Sequence, residues 1–287
     1  MLQKGSVMQI RSWVGLLWAC GALTTWAGDP QEVKRIKAGQ ACPRCDFRYE
    51  AAIGLKASGI DLRGAYMFNA NLMNAQLDHA ALTSANLQST SLDRATFVNA
   101  VLDRSSLADA SLDGATLVNA SMIQVLANNA SFDAADVSSV NFTGASLQSS
   151  RFRHAFGDGT RFISAKLNGA SMNNAKMVRA VFQDAMMVQV QAVGASFLNS
   201  DFRWAYLNKA NLAKADFSYS NLAGAFLRGA NLRGARLVGV NMDNTDLSDA
   251  DLSDADLNST ILTEAITCNT RLPKGIAGGR CEVSSDQ

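Results

Sequence analysis

From Leu62 to Leu272 a large apolar residue stands at every fifth position. Leu, Phe, Met or Val fills 39 of these 43 central positions, the exceptions being Ala127, Gly157, Ala192 and Thr267. Two positions before each central residue, 29 of 43 residues are Ala and 9 more are Ser or Thr. Runs such as Ala210-Asn211-Leu212-Ala213-Lys214 and Ala230-Asn231-Leu232-Arg233-Gly234 display the unit, and no insertion or deletion interrupts it.

A period of five fits neither regular element. Five residues advance an α-helix by about 500°, which would scatter the leucines around its axis. Five is also odd, so along a plain strand successive leucines would alternate faces. The pattern therefore demands a corner in every unit. The central residue and the one two before it share a face of a short extended piece, and a turn follows. That turn falls on Gly64, Asn74, Gly114, Gly144, Gly224, Gly229, Gly234 and Gly239, residues that tolerate tight-turn backbone angles. The phenylalanines indicate how many units close a coil. Phe142, Phe162, Phe182 and Phe202 are central and twenty apart, as are Phe132 and Phe152, and Phe197 and Phe217. Aromatics stacked on one face of successive coils would produce this spacing with four units per coil.

These units resemble the A(D/N)LXX repeats of the pentapeptide-repeat family, over residues 60–272. The resemblance implies an all-β fold, a right-handed quadrilateral β-helix (a solenoid) with one pentapeptide on each face. About 11 coils at roughly 4.8 Å each would make a rod on the order of 50 Å long, its interior filled by side chains. Cys42-Pro43-Arg44-Cys45-Asp46-Phe47 resembles the CPxCDL opening of such repeats. Phe47 falls in register, so three irregular units start the solenoid early. Thr267-Cys268-Asn269-Thr270 followed by Leu272-Pro273-Lys274-Gly275 resembles a closing segment. Upstream, Asp29-Pro30-Gln31-Glu32 reads as an N-cap, a Pro at the first helical position and an acidic residue beyond it. These predict a short N-terminal capping helix to about Lys37, stopped by Gly39. The expected division is a signal peptide over 1–27, a cap with irregular units over 28–59, the solenoid over 60–272 and a C-terminal cap or tail over 273–287.

The departures from the repeat carry their own expectations. At Ala127 and Ala192 the residue two before is Val125 or Val190, which restores part of the missing volume. Gly157 has no such neighbour, so a local kink over 156–159, with Phe156 turned inward, is expected.

Composition adds little except at the start. The 287 residues are 48% apolar with a net charge of +1, so no overall field recruits nucleic acid or anionic lipid. Lys4 and Arg11 flank the approach to an apolar run over 13–26, and Thr25-Trp26-Ala27 fits a small-residue cleavage rule. This reads as a secretory signal peptide. Leu17-Trp18-Ala19-Cys20 offers a rival lipoprotein box with anchoring at Cys20, which Trp18 and the short apolar stretch before it fit less well. No later run reaches the ~18 apolar residues of a membrane span. The mature chain is expected in the periplasm or secreted, with no transmembrane span. Cys42, Cys45, Cys268 and Cys281 then remain, an even number that suggests disulfides in an exported chain. Given the rod that the resemblance implies, only Cys42–Cys45 with Cys268–Cys281 can form within one copy, because Cα atoms must approach within about 7 Å. A pair of inert thiols at Cys42 and Cys45 is the alternative.

Candidate chemistry is sparse. His79 and His154 would lie about four coils apart, on the order of 18 Å, too far to share a metal. No nucleophile motif, phosphate loop or dinucleotide fingerprint is present, and a filled solenoid offers no concave pocket. The expectation is no enzyme, no cofactor, no metal and no small-molecule substrate. Asp246, Asp249, Asp251, Asp254 and Asp256 could suggest calcium, but Asp is an ordinary residue of these repeats. What remains is a protein-interaction or structural scaffold in the cell envelope, whose partner is an unknown envelope protein or a second copy. The alternative is a DNA-mimicking modulator of a topoisomerase, as in family members that shield gyrase. Mimicry needs acidic charge throughout, whereas net charge runs −5 over 75–140, +8 over 145–239 and −7 over 240–270. Binding would then use the outer surface. Residues following the central ones stack in columns, and one column holds Val98, Val118, Val178, Leu198 and Val238. Contiguous apolar surface there would mark a contact site, although β-branched residues suit a strand wherever it faces. Lys176, Arg179 and Arg236 on the same face would give it an acidic preference.

Overall fold

The computed structural model describes residues 28–281. The expected signal segment, including Lys4, Arg11 and Cys20, lies outside them. From Asp46 onward the chain repeats one local pattern: a single extended residue, the central residue, then a two-residue turn. Each extended residue forms a parallel bridge with the one twenty positions on, as in Asp61↔Ala81, Ala81↔Val101 and Val101↔Ser121. The register holds from Asp46↔Tyr66 to Asp251↔Arg271. Four pentapeptides therefore close one coil, and the extended residue of each faces outward.

The corner explains why the period is five. The N–H of Ala65 donates to the carbonyl of Leu62 at 3.0 Å, closing a four-residue turn. Its third residue, Gly64, has φ 66°, the left-handed conformation such a turn requires. Most corners hold a non-glycine residue in the same conformation, often Asn, Asp or Ser, but also Trp204 and Tyr219 with φ 60° each.

The backbone hydrogen bonds explain the Asp and Asn of the repeat. In each unit one N–H closes the turn and three reach neighbouring coils: Leu62 to Ala81, Gly64 to Thr83, and Ala81 back to Ile60. The N–H just after the central residue is left over, and an orphan donor is costly where water is excluded. Asn or Asp one place before the central residue accepts it, as Asp136 does from Ser138 at 3.0 Å and Asn221 from Ala223 at 3.0 Å. In a further set of units the acceptor is the corner residue one coil earlier: Asp78 takes the N–H of Val98, and Asn173 that of Val193, both at 2.8 Å.

Inside, central residues and the Ala two before them are buried from Phe47 to Leu262. The phenylalanines stack as their spacing requires. Ring centroids are 5.1 Å apart for Phe142–Phe162, 4.9 Å for Phe162–Phe182 and 4.6 Å for Phe182–Phe202, with nearly parallel planes. A second stack, Phe132–Phe152 at 4.7 Å, meets the first edge-on across the interior. At most positions where Ser or Thr replaces the small Ala, its hydroxyl reaches the carbonyl of a central residue one coil earlier, while that of Ser150 bonds Leu147 O in its own unit. Ser200 Oγ donates to Met177 O at 2.9 Å and accepts the N–H of Ala180, and Ser220 does the same for Phe197 and Ser200. Ser105 is fully buried, and its hydroxyl finds no partner among the described residues.

The stretch around Gly157 corrects an expectation. No kink occurs: Asp136↔Phe156↔Lys176 continues the register, and Gly157 N–H donates to Lys176 O at 2.8 Å. Phe156 points outward and is 48% exposed. The compensation comes from the next coil, because a Cβ at Gly157 would run into Met177 Sδ and Thr160 Oγ1. Met177 fills the volume that a central side chain would have taken.

Helix α1, Pro30–Lys37, covers the N-terminal end. Asp29 caps it by accepting from Gln31 and Glu32 N–H, and Val33 and Ile36 are buried beneath it. Glu32 ties it to the first coil by accepting the Asp46 N–H at 2.7 Å. At the other end the chain crosses back to pair Ile266 with Arg280.

Two substitutions test this packing. Phe162→Ala should cost about 3–5 kcal/mol, the usual range for deleting a buried aromatic, measured by denaturant unfolding. Ser200→Ala should cost about 1–3 kcal/mol because it strands the Ala180 N–H. Ser105→Ala, which removes an unpaired hydroxyl, should leave the thermal midpoint unchanged or raise it.

Candidate interaction surface

The sequence-derived candidates separate once they are placed. Cys42 and Cys45 are buried beside the cap, their Cα atoms 5.5 Å apart and their sulfurs joined. Cys268 and Cys281 are likewise joined at the far end, with Cα atoms 4.7 Å apart, where they hold the returning tail to the last coil. His79 and His154 occupy exposed corners, and no cluster among the described residues could hold a metal. The acidic run has structural partners. Asp246, Asp251 and Asp256 accept the orphan N–H groups of Ser248, Ser253 and Asn258, while Asp249 and Asp254 pair with Arg228 and Arg233.

The column of Val98, Val118, Val178, Leu198 and Val238 is half-buried along its length. It is not continuous, since Ser138 and Asp158 separate the first pair from the second, and buried Ser218 separates Leu198 from Val238. The corner residue directly after the central one is partly covered by the coils above and below, which is why this position exposes little apolar area. Val178 nonetheless lines a shallow depression of about 400 Å³ with Asp136, Ser138, Phe156 and Lys176. Lys176 Nζ lies 5.5 Å above the Phe156 ring, and Arg179 pairs with Asp158 at its edge. Of the three cations read onto this face, Arg236 pairs with Asp216 at 3.8 Å.

The larger exposed apolar strip lies on another face and in another position of the unit. The outward extended residues twenty apart there are Lys166, Met186, Tyr206, Phe226 and Asp246. Met186 is 40% and Tyr206 43% exposed. The Tyr206 and Phe226 rings stack at 4.9 Å and 13°. Trp204, on the adjoining corner, is 48% exposed and lies flat over Gly224, where any Cβ would overlap the indole. Val188 lies half-buried beside Met186 on the far corner. Trp and Tyr at the centre of a polar-rimmed patch are the usual anchors of protein contacts. This strip was legible in principle: positions 186, 206 and 226 keep the same twenty-residue spacing as the phenylalanines, one place earlier in the unit.

Charge on the outside is partly cancelled between coils. Arg151 and Arg153 both reach Asp133, which carries the acidic first segment into contact with the basic middle. Burial pushes the Asp133 carboxyl up, but the Arg153 hydrogen bond and the charges of Arg153 and Arg151 outweigh it and hold the group below the usual carboxylate range.

Comparison with known proteins places the repeat. The family model of pentapeptide repeats matches residues 80–119, 105–144, 158–190, 195–234 and 227–264 in 8 copies. The chain is similar in structure to HetL, a pentapeptide repeat protein involved in heterocyst differentiation regulation from the cyanobacterium Nostoc sp. strain PCC 7120. The TM-score is 0.55 at 22% identity, over 85% of this chain and 96% of that one. QnrB1, a plasmid-mediated fluoroquinolone resistance protein, gives 0.46 at 16% identity over 68% and 92%, too loose a likeness to bear on function. No curated protein matches the sequence.

Asp133 supplies a pH test. Its lowered folded-state pKa contributes stability above the ordinary Asp value of about 3.9, lost as pH falls through the folded value. Arg153→Leu should therefore melt below the parent at pH 7, and the gap between the two should close in acid below about pH 4.

Proposed function

Since the chain belongs to the pentapeptide-repeat family, we propose that it is a non-enzymatic, exported rod of about eleven coils that works by binding protein in the cell envelope. The observation that carries this reading is the strip of Met186, Trp204, Tyr206 and Phe226, large apolar side chains held outside a rod whose interior is already full. A filled interior leaves catalysis no enclosed site, because substrate cannot be taken out of water there. The surface must then do the work, and aromatic side chains are its strongest available anchors. The half-buried pair Val178 and Leu198, with Phe156, is the second stretch assigned to contact.

Export is supported by the charged and apolar pattern of residues 1–27 and by the two cysteine pairs, which the reading takes as stable disulfides. Such bonds persist in oxidising compartments, and each here fastens an end of the solenoid, where frayed edges would otherwise invite aggregation. Among the described residues no helix is long and apolar enough to cross a membrane. The alternation of acidic, basic and acidic segments gives no reason to propose mimicry of DNA, whose charge has one sign throughout.

Expressed from its full sequence in a Gram-negative host, the chain should reach the periplasm shortened by its first segment. Its four remaining cysteines should resist alkylation until reduced. Full-length chain with reactive thiols in the cytoplasm would overturn the export reading. A photo-reactive phenylalanine replacing Trp204 should trap protein, either a second copy or another polypeptide. Absence of any adduct above that from an exposed control position, such as Ser84, overturns the assignment of this face to binding.

A further inference from the structure

The strip carries charge at its two ends, and the arrangement is self-complementary. Along the column the order is Lys166, Met186, Tyr206, Phe226, Asp246, one residue per coil. Lys166 and Asp246 are each two coils from Tyr206, about 10 Å along the axis at roughly 4.8 Å per coil. A two-fold axis running along the strand direction through Tyr206 would lay this face on the same face of a second, antiparallel copy. Tyr206 would then meet Tyr206, Met186 would meet Phe226, and the Lys166 ammonium of each copy would meet the Asp246 carboxylate of the other. Both ion pairs close at once, because a contact between identical faces always occurs twice.

Resting on the binding reading above, we propose that this face is a homodimer interface joining two rods antiparallel about Tyr206. Three features support a second copy as the occupant. Lys166 is exposed and forms no ion pair among the described residues, and Asp246 forms none either. The apolar side chains lie between the two charges, giving the desolvated centre and polar rim of a specific contact. The charge of the whole chain follows the same symmetry. Antiparallel pairing about position 206 sets the segment over 240–270, with seven acidic and no basic residues, beside 142–172 of the partner, which holds Arg151, Arg153, Arg161 and Lys166 against the single acid Asp158. Parallel pairing would instead stack like charge on like. Lys209, on the far corner of the same face, would face its own symmetry mate, at the rim where water screens it.

Light scattering coupled to size exclusion on the mature, oxidised chain tests the assignment. At tens of micromolar in low salt, the expected mass is that of two copies. Tyr206→Asp should return it to one copy that keeps the parent's far-ultraviolet circular dichroism and a cooperative melt, since the side chain lies outside the core. Lys166→Glu and Asp246→Asn should each raise the dimer dissociation constant at least tenfold. The Asn keeps the oxygen that accepts the Ser248 N–H, so the corner stays intact. Oxidation of Tyr206→Cys should cross-link two copies through that position, while Val101→Cys on a neighbouring face should not. A single-copy mass at all concentrations, or a dimer indifferent to Tyr206→Asp, overturns the proposal. Photo-adducts to a different protein from position 204, with a single-copy mass, would overturn self-association alone and leave the binding reading standing.

Discussion

Each coil is tied to the next by three N–H···O bonds per pentapeptide, which join residues nineteen and twenty-one apart and so set residues twenty apart beside each other in one unbroken parallel register. Everything else in the molecule answers to that register. It fixes which side chains share a layer of the core, so Phe142 lies on Phe162 and Phe132 on Phe152. One inserted residue would turn an inward side chain outward in every later unit. The absence of any insertion over 60–272 is the consequence.

The corner imposes the second constraint. Turning every five residues leaves one backbone N–H per unit without a backbone acceptor, and in many units an Asp or Asn of the repeat accepts it. The same need explains why a cluster of acidic residues near the C-terminus can be structural. Asp246, Asp251 and Asp256 each hold a corner N–H. Buried Ser and Thr act similarly on the inside, where Ser200 and Ser220 link three successive coils through carbonyls and N–H groups.

Because the interior is consumed by its own packing, specificity has to be written on the outside. Three outward positions exist in each unit, and they are unequal; the second corner residue, the place of Trp204 and Tyr219, is exposed. The corner residue after the central one is partly covered by its vertical neighbours, so Val98, Val118, Val178, Leu198 and Val238 present little area. The extended residue before it stands clear of the sheet, so Met186 and Tyr206 are exposed. A contact surface on this architecture is therefore a column of extended residues twenty apart, edged by exposed corner residues such as Trp204, and charges placed above and below the column set the orientation of whatever binds.

The period, the corner, the four units per coil and the cap at Asp29 are legible in the residues, because they depend on contacts between near neighbours or on a spacing repeated along the chain, as the phenylalanines twenty apart repeat it. Repetition removes the ambiguity that one unit would have. What happens at the exceptions depends on how the coils stack. The compensation for Gly157 is Met177, which comes from a coil twenty residues away, and Phe156 faces outward because the unbroken register puts it at the extended position. The exposed aromatic strip was spaced legibly, but which outward position would be uncovered depends on the angle at which the corner tucks its side chain between coils. That angle is a property of the stacked backbone and is carried by no residue alone.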